Sequence, residues 1–215
     1  MSGTSADGVD LALVELTGFP PHLKAELLQR TSRPYPTPLR GKVLQGMRGF
    51  STPELARLHH ELGRFYAEAA ADYRGSCDLA SLHGQTLWHE PPMTTLQIGE
   101  TSYLAEVLGV PVVSDFRPAD LALGGEGAPL VPYPDLLLYG QPGVRRALHN
   151  LGGISNLTYL PGTEPEGVLA FDTGPGNCLL DEAAARLGFP FDRGGALARQ
   201  GTVHRQLLHI WLEHP

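Results

Sequence analysis

Residues 79–115 read LASLHGQTLWHEPPMTTLQIGETSYLAEVLGVPVVSD, and their punctuation decides the fold class. The short apolar run 79–83 ends at Gly84 and is expected to be a strand. From about Thr101 to Leu108 the spacing is helical, and Gly109 follows as a C-cap glycine. The run 110–114 is a second expected strand, ended by Asp115. Strand, helix and strand joined by short connections indicate an α/β layer architecture.

Toward the N-terminus, Ser51 or Thr52 caps a predicted helix with Pro53 in its first turn and Glu54 close behind. Leu55, Leu58, Leu62, Phe65, Tyr66 and Ala69 recur every three to four residues until Tyr73. Residues 9–16 alternate as a strand does. Residues 23–31 suit a second strand, joined through a hairpin at 18–21, although their Glu, Leu and Gln content also suits a helix. Pro34, Pro36 and Pro38 are expected to break regular structure.

Toward the C-terminus, residues 121–134 hold Gly124, Gly125, Gly127, Pro129, Pro132 and Pro134. This enrichment reads as a crossover between two domains, at 123–140, with a first α/β domain over 1–122 and a second, partial one over 141–215. Three short strands (147–151, 154–160, 168–171) and two helices (179–187, 203–213) are expected in the second.

The composition is that of a globular chain: 42% apolar and 18% charged over 215 residues. With 16 Lys and Arg against 23 Asp and Glu, the formal charge is -7. That balance disfavours nucleic acid and anionic membranes as partners, while leaving room for a local anion site built of backbone N–H groups. Cys77 and Cys178 stand alone, so neither a disulfide framework nor a structural zinc is indicated. No apolar run approaches the length of a membrane span. Met1 opens directly onto Ser-Gly-Thr-Ser without a basic or apolar leader, which makes a reducing, cytoplasmic location the expectation.

Five segments carry candidate chemistry. The stretch 2–8, SGTSADG, is either an ordinary Gly/Ser turn or a phosphate-holding loop, in which Asp7 would bind a hard cation such as Mg2+. His83, Gln85 and Thr86 follow a strand, at the edge where α/β folds hold ligands; His83 either meets a polyhydroxylated ligand or satisfies a neighbouring carbonyl. Arg117 either forks onto a substrate carboxylate or pairs internally with Asp120. The turn at Gly152 and Gly153, followed by Asn156, is a second Gly-rich hairpin, read as a partner loop facing the first across a cleft. Asp172 stands between an apolar strand and a Gly-Pro-Gly turn, as a general base held stiffly or as an anchor for that turn. His59, His60 and His89 are weaker candidates.

Together, MSGTSADGVD at 1–10, HGQT at 83–86, DFRPADLALGGEGAPLVP at 115–132, NLGGISNLT at 150–158 and FDTGPGNCLLD at 171–181 resemble the anhydro-N-acetylmuramic acid kinase family of bacterial cell-wall recycling. The motifs stand in family order over essentially the whole chain. Glu126 stands where many members have Gln, and Leu151 where many have Ile, both mild departures. The resemblance implies an actin-like fold: two ribonuclease-H-like α/β domains around a cleft for ATP and sugar. It implies hydrolytic opening of the 1,6-anhydro sugar with phosphorylation of O6, giving N-acetylmuramic acid 6-phosphate. By the same resemblance, ATP with Mg2+ is met by Gly3, Thr4, Ser5, Ala6, Asp7, Gly8, Val9 and Asp10, with Gly152 and Gly153, and Asp7 serves the metal. His83, Gln85, Arg117, Asn156 and Asp172 meet the sugar, Asp172 as catalytic base. A homodimer is the family's assembly.

Family members are longer at both ends, so the expectation is a chain lacking the adenosine-binding half of its second domain. The apolar face of the last helix (Leu207, Leu208, Ile210, Trp211, Leu212) would then have only three short strands to cover it. Leaving about 300 to 500 Å² of it exposed forgoes on the order of 8 to 12 kcal/mol. The chain is accordingly expected to fold poorly beyond about residue 140, to self-associate and to be inactive by itself, as a fragment or a non-catalytic sugar-binding remnant.

Overall fold

The structure, a computed structural model, describes residues 6–20 and 22–213. The alternation of the first segment becomes β1 (Gly8–Thr17), paired antiparallel with β2 (Lys24–Pro34), so the strand alternative holds for the second segment. Val9, Leu11 and Leu13 face the core at period two. A register shift between Leu13 and Val14 ends that pattern, and Val14 and Leu16 beyond it are exposed.

The proline run does not break structure for long. Helix α1 (Thr37–Gly46) starts with Pro38 in its first turn, where a missing N–H costs nothing. Its Leu39 and Val43, four residues apart, are buried. Helix α2 (Thr52–Ala70) begins at a capping box in which the Ser51 N–H donates to Glu54 Oε2 at 2.9 Å. Leu58, Leu62, Tyr66 and Ala69 form its buried face, as the periodicity predicts.

The deciding segment folds as β3 (Ala80–Ser81), a hairpin of β4 (Gln85–Glu90) and β5 (Thr94–Ile98), helix α3 (Ser102–Leu108) and β6 (Val112–Val113). Gly109 caps α3 in the left-handed region at φ 72°. The hairpin between the expected strand and helix was not foreseen, because its polar Gln, Thr and His residues give no clean alternation. Two helices also stand where the sequence suggests none: α4 (Phe116–Ala122), and α5 (Pro132–Tyr139) inside the expected crossover. Each carries proline within its first turn, so proline marks a start there and not a break.

The chain divides into two compact units, residues 1–140 and 141–215. Among the described residues the first holds three two-stranded sheets, β1–β2, β4–β5 and the parallel pair β3–β6, around one apolar core. The second holds an antiparallel sheet of β7 (Arg146–Leu151), β8 (Ile154–Leu160) and β9 (Leu169–Pro175), with helices α6 (Cys178–Arg186) and α7 (Arg205–Leu212). The architecture is thus mixed α/β with several small sheets. As expected from the few strands available, the apolar side chains of α7 are open, from 38% exposed at Leu207 to 75% at Leu212.

Within α2, another chain segment comes close at Gly63: a Cβ there would lie 2.4 Å from the Glu100 carbonyl oxygen. Gly41, inside α1, has nothing within 4 Å of such a Cβ. Alanine in a helix normally gains about 0.5 to 1 kcal/mol over glycine. Gly41→Ala should therefore raise stability, and Gly63→Ala should lower it by about 1 to 3 kcal/mol through backbone displacement. Urea denaturation followed by far-UV circular dichroism checks this; equal shifts of both variants would remove the close contact from the account.

Candidate functional site

The parallel pairing of Ala80 with Val112 and Ser81 with Val113 sets two strand ends side by side. The Leu82 N–H continues the pairing onto the Val113 carbonyl at 2.9 Å. The residues that follow each strand, His83 on one side and Ser114 and Asp115 on the other, therefore adjoin across a gap of thirty residues in sequence. They open on a cavity of about 190 Å³ that is also lined by His59, Gly99 and Glu100. Asp115 takes φ 60° immediately before α4. Left-handed backbone at a non-glycine residue costs free energy and is enriched at functional sites.

The far wall is built by α2. His59, Gly63 and Tyr66 lie at positions i, i+4 and i+7, hence on one face. The Glu100 N–H donates to the His59 carbonyl at 3.0 Å and the Gly99 N–H to His59 Nδ1 at 3.0 Å. An Nδ1 that accepts leaves the proton on Nε2, which donates to Glu100 Oε2 at 3.2 Å. Gly99 has φ 129°, and a Cβ on it would meet the Tyr66 ring at 2.5 Å. Glu100 Oε1 accepts from the Ser102 hydroxyl at 2.7 Å and the Ser102 N–H at 2.9 Å. These bonds, the Ser102 hydroxyl first and its N–H next, hold the Glu100 carboxyl down at about 2 against the opposing effect of burial, with His59 adding a smaller lowering.

His83 and Arg117, taken separately from the sequence, are bonded to each other: Arg117 Nε donates to His83 Nε2 at 2.9 Å. Arg117 Nη1 donates to the Gly127 carbonyl at 2.7 Å. Asp120, the alternative internal partner, is used elsewhere, accepting from the Gly127 N–H at 2.7 Å. Among the described residues no carboxylate bonds to or pairs with Arg117. A half-buried guanidinium thus sits beside the cavity on two neutral acceptors, and burial lowers its proton affinity.

The other sequence candidates are distributed as follows. Gln85 is fully enclosed, with Tyr35 Oη donating to its Oε1 at 3.2 Å. Gly3, Thr4 and Ser5 lie outside the described residues. Ala6 is buried at φ 49°, and its carbonyl accepts from Arg40 Nε at 3.1 Å. Asp7 is exposed, while Asp10 meets Ser32 and Arg30. A Cβ on Gly8 would lie 2.3 Å from the Arg33 carbonyl oxygen, so strand pairing alone requires glycine there; Val9 belongs to the core. Among the described residues no three His, Cys, Asp or Glu side chains gather as a metal site. Mg2+ commonly takes only one or two carboxylates from protein and the rest from water and phosphate, a demand that an exposed Asp7 fits.

In the second unit, the Gly152 and Gly153 carbonyls accept from the N–H groups of Gly176, Asn177 and Cys178, which docks this turn onto the start of α6. A Cβ built on Gly153 would stand in open space, with nothing beyond its chain neighbours within 4 Å. Asp172 is an exposed residue inside β9 and not beyond its end, because the strand continues to Pro175. Its cross-strand partner is Asn156, so two candidates share one face. A register shift between Ser155 and Asn156 accompanies a hydroxyl chain missed from the sequence: Ser155 Oγ lies 2.6 Å from Thr173 Oγ1 and 2.7 Å from His149 Nε2.

The Glu100 carboxyl provides a pH test. Its ordinary value is 4.5 and its folded value about 2, so protonation favours the unfolded chain. The stability it contributes is fully present above 4.5 and is lost as pH falls toward about 2. Glu100→Gln should therefore be less stable than the parent at neutral pH, with the gap closing below pH 4.5. Thermal midpoints of the two proteins across that range check it; a gap that does not depend on pH contradicts it.

Comparison with known proteins gives one family. A protein-family model described as anhydro-N-acetylmuramic acid kinase matches residues 1–215. A Gloeobacter violaceus protein of that name is 45% identical over 231 residues, covering 100% of this chain and 61% of its own length. Its Salinibacter ruber namesake is 47% identical, over 99% of this chain and 59% of its own. A Bacillus thuringiensis relative of the same name is 38% identical, over 100% and 61%. The chain spans about 61% of the length of such relatives, and it belongs to the anhydro-N-acetylmuramic acid kinase family.

Proposed function

We propose that this chain is part of an ATP-dependent kinase that opens 1,6-anhydro-N-acetylmuramic acid with water and phosphorylates O6, in the recycling of cell-wall sugar. The observation that carries this reading is Arg117. A half-buried cation held by two neutral acceptors and paired with no carboxylate among the described residues is suited to an anionic ligand. The lactyl carboxylate of a muramic sugar supplies such a group.

The relatives' name supports the reaction class, and the finer assignments are proposals on the residues described above. Asp172 is the proposed base: it takes a proton from the attacking water as the bond between the anomeric carbon and O6 opens, with Asn156 beside it on the sheet. ATP, when bound with Mg2+, would supply the phosphoryl group for O6. Asp7 is the proposed carboxylate toward the metal, and the backbone around it, at Ala6 and Gly8, is proposed to lie toward phosphate. An actin-like pair of ribonuclease-H-like domains is the proposed architecture, with a cytoplasmic location and a homodimer as its setting. No helix among the described residues is long and apolar enough to cross a membrane.

Two substitutions test the reading. Arg117→Ala should weaken binding of anhydro-N-acetylmuramic acid by roughly 10- to 150-fold and leave an analogue without the lactyl group almost unaffected. Equal losses on both ligands, read by isothermal calorimetry, would sink the carboxylate assignment. In a version extended to the length of the relatives, Asp172→Asn should lower kcat by about 10²- to 10⁴-fold with sugar binding retained. Turnover within threefold of the parent would mean that another group is the base.

A further inference from the structure

The two bonds of His83 fix its chemical form. Its Nδ1 lies 2.9 Å from the Gly84 carbonyl oxygen, which can only accept, so Nδ1 carries the proton. Its Nε2 faces an Arg117 N–H at 2.9 Å, which can only donate, so Nε2 is bare. A neutral imidazole is the one form that satisfies both. Burial first, then the charge of Arg117, hold His83 below its ordinary proton affinity, against the opposing effect of the Gly84 bond. Among the described residues that line the cavity, the other ionisable groups are His59 from α2, Glu100 ahead of α3 and Asp115 ahead of α4, of which the first two bond each other.

The second acceptor on Arg117 is fixed as firmly. Gly127 stands at φ 72°, where a Cβ would meet the Leu121 side chain at 2.5 Å, and its N–H is tied to Asp120. The guanidinium is thus gripped from the end of β3 and from the loop after α4, using Nε and one Nη1 hydrogen of its five donors. A carboxylate in place of either acceptor would orient it equally well, but would also neutralise it and compete with an anionic ligand.

We propose that His83 is a positioning residue for Arg117: a neutral acceptor that sets the guanidinium plane while leaving its positive charge and remaining N–H groups for the ligand's carboxylate. The proposal rests on the reading of Arg117 as the carboxylate contact. It makes the choice of histidine a matter of charge as well as shape, and so separates two near-isosteric replacements. Gln at 83 keeps a neutral acceptor; Glu keeps the acceptor and cancels the cation.

Calorimetric binding of anhydro-N-acetylmuramic acid to the parent and to His83→Gln, His83→Ala and His83→Glu tests this, with circular dichroism reporting the fold of each. Affinity should fall by no more than about threefold in the Gln variant, about tenfold in the Ala variant and at least about a hundredfold in the Glu variant. Gln and Glu variants that are folded and bind alike would overturn the proposal. Long-range ¹H–¹⁵N spectra of the imidazole decide it without any ligand. A protonated Nδ1 and bare Nε2 at neutral pH, disturbed in Arg117→Ala, is expected; an Nε2–H form, or one indifferent to Arg117→Ala, would overturn it. If all variants bind the sugar and its lactyl-free analogue alike, the carboxylate reading fails, and the spectra still decide whether His83 holds Arg117.

Discussion

The approach of α2 to residues 99–100 governs the first unit. It is closer than any side chain at position 63 or 99 would allow, since one hypothetical Cβ meets a carbonyl oxygen at 2.4 Å and the other an aromatic ring at 2.5 Å. With both positions open, His59 reaches the Gly99 N–H and the Glu100 carboxylate together. Glu100 in turn takes both the hydroxyl and the N–H of Ser102 as α3 begins. One wall of the cavity is therefore made by backbone contact and closed hydrogen bonds, with little freedom left in it.

Against that wall stands the pair of parallel strand ends. Strands of two residues contribute little stability by themselves, and their function is placement. They bring the segment after β3 beside the segment before α4, so His83 finds Arg117. The physical character of the site follows from the partners of that arginine: among the described residues its acceptors are neutral, and the nearby Asp120 is spent on Gly127. Charge left unpaired in a half-buried position is costly, and an anionic ligand recovers that cost.

Much of this was legible in the sequence where one local rule dominates. The capping box and three-to-four spacing gave α2, the glycine at 109 gave the end of α3, and the alternation gave β1. The motifs led to the family. Prolines misled at 38 and 132, because the rule that proline breaks helices inverts in a first turn. The β4–β5 hairpin was hidden by polar residues, among them Gln85, which looks like a ligand contact in the sequence and is enclosed beside Tyr35. The link between His83 and Arg117 depends on strand pairing across thirty residues. Both had been placed at strand ends, yet nothing local says that those ends are neighbours. Glu100 gives no signal for the same reason, and His59 stands out only as a weak candidate.

The central claim is that Arg117, held by His83 and Gly127 and left without a carboxylate among the described residues, is the seat of the ligand's negative charge. A crystal structure of the chain with anhydro-N-acetylmuramic acid tests it most directly. The account predicts a lactyl carboxylate oxygen about 2.7 to 2.9 Å from Arg117 Nη atoms, with the Nε bond to His83 unchanged. A carboxylate bound elsewhere, or an Arg117 swung off His83 to reach it, would contradict the account.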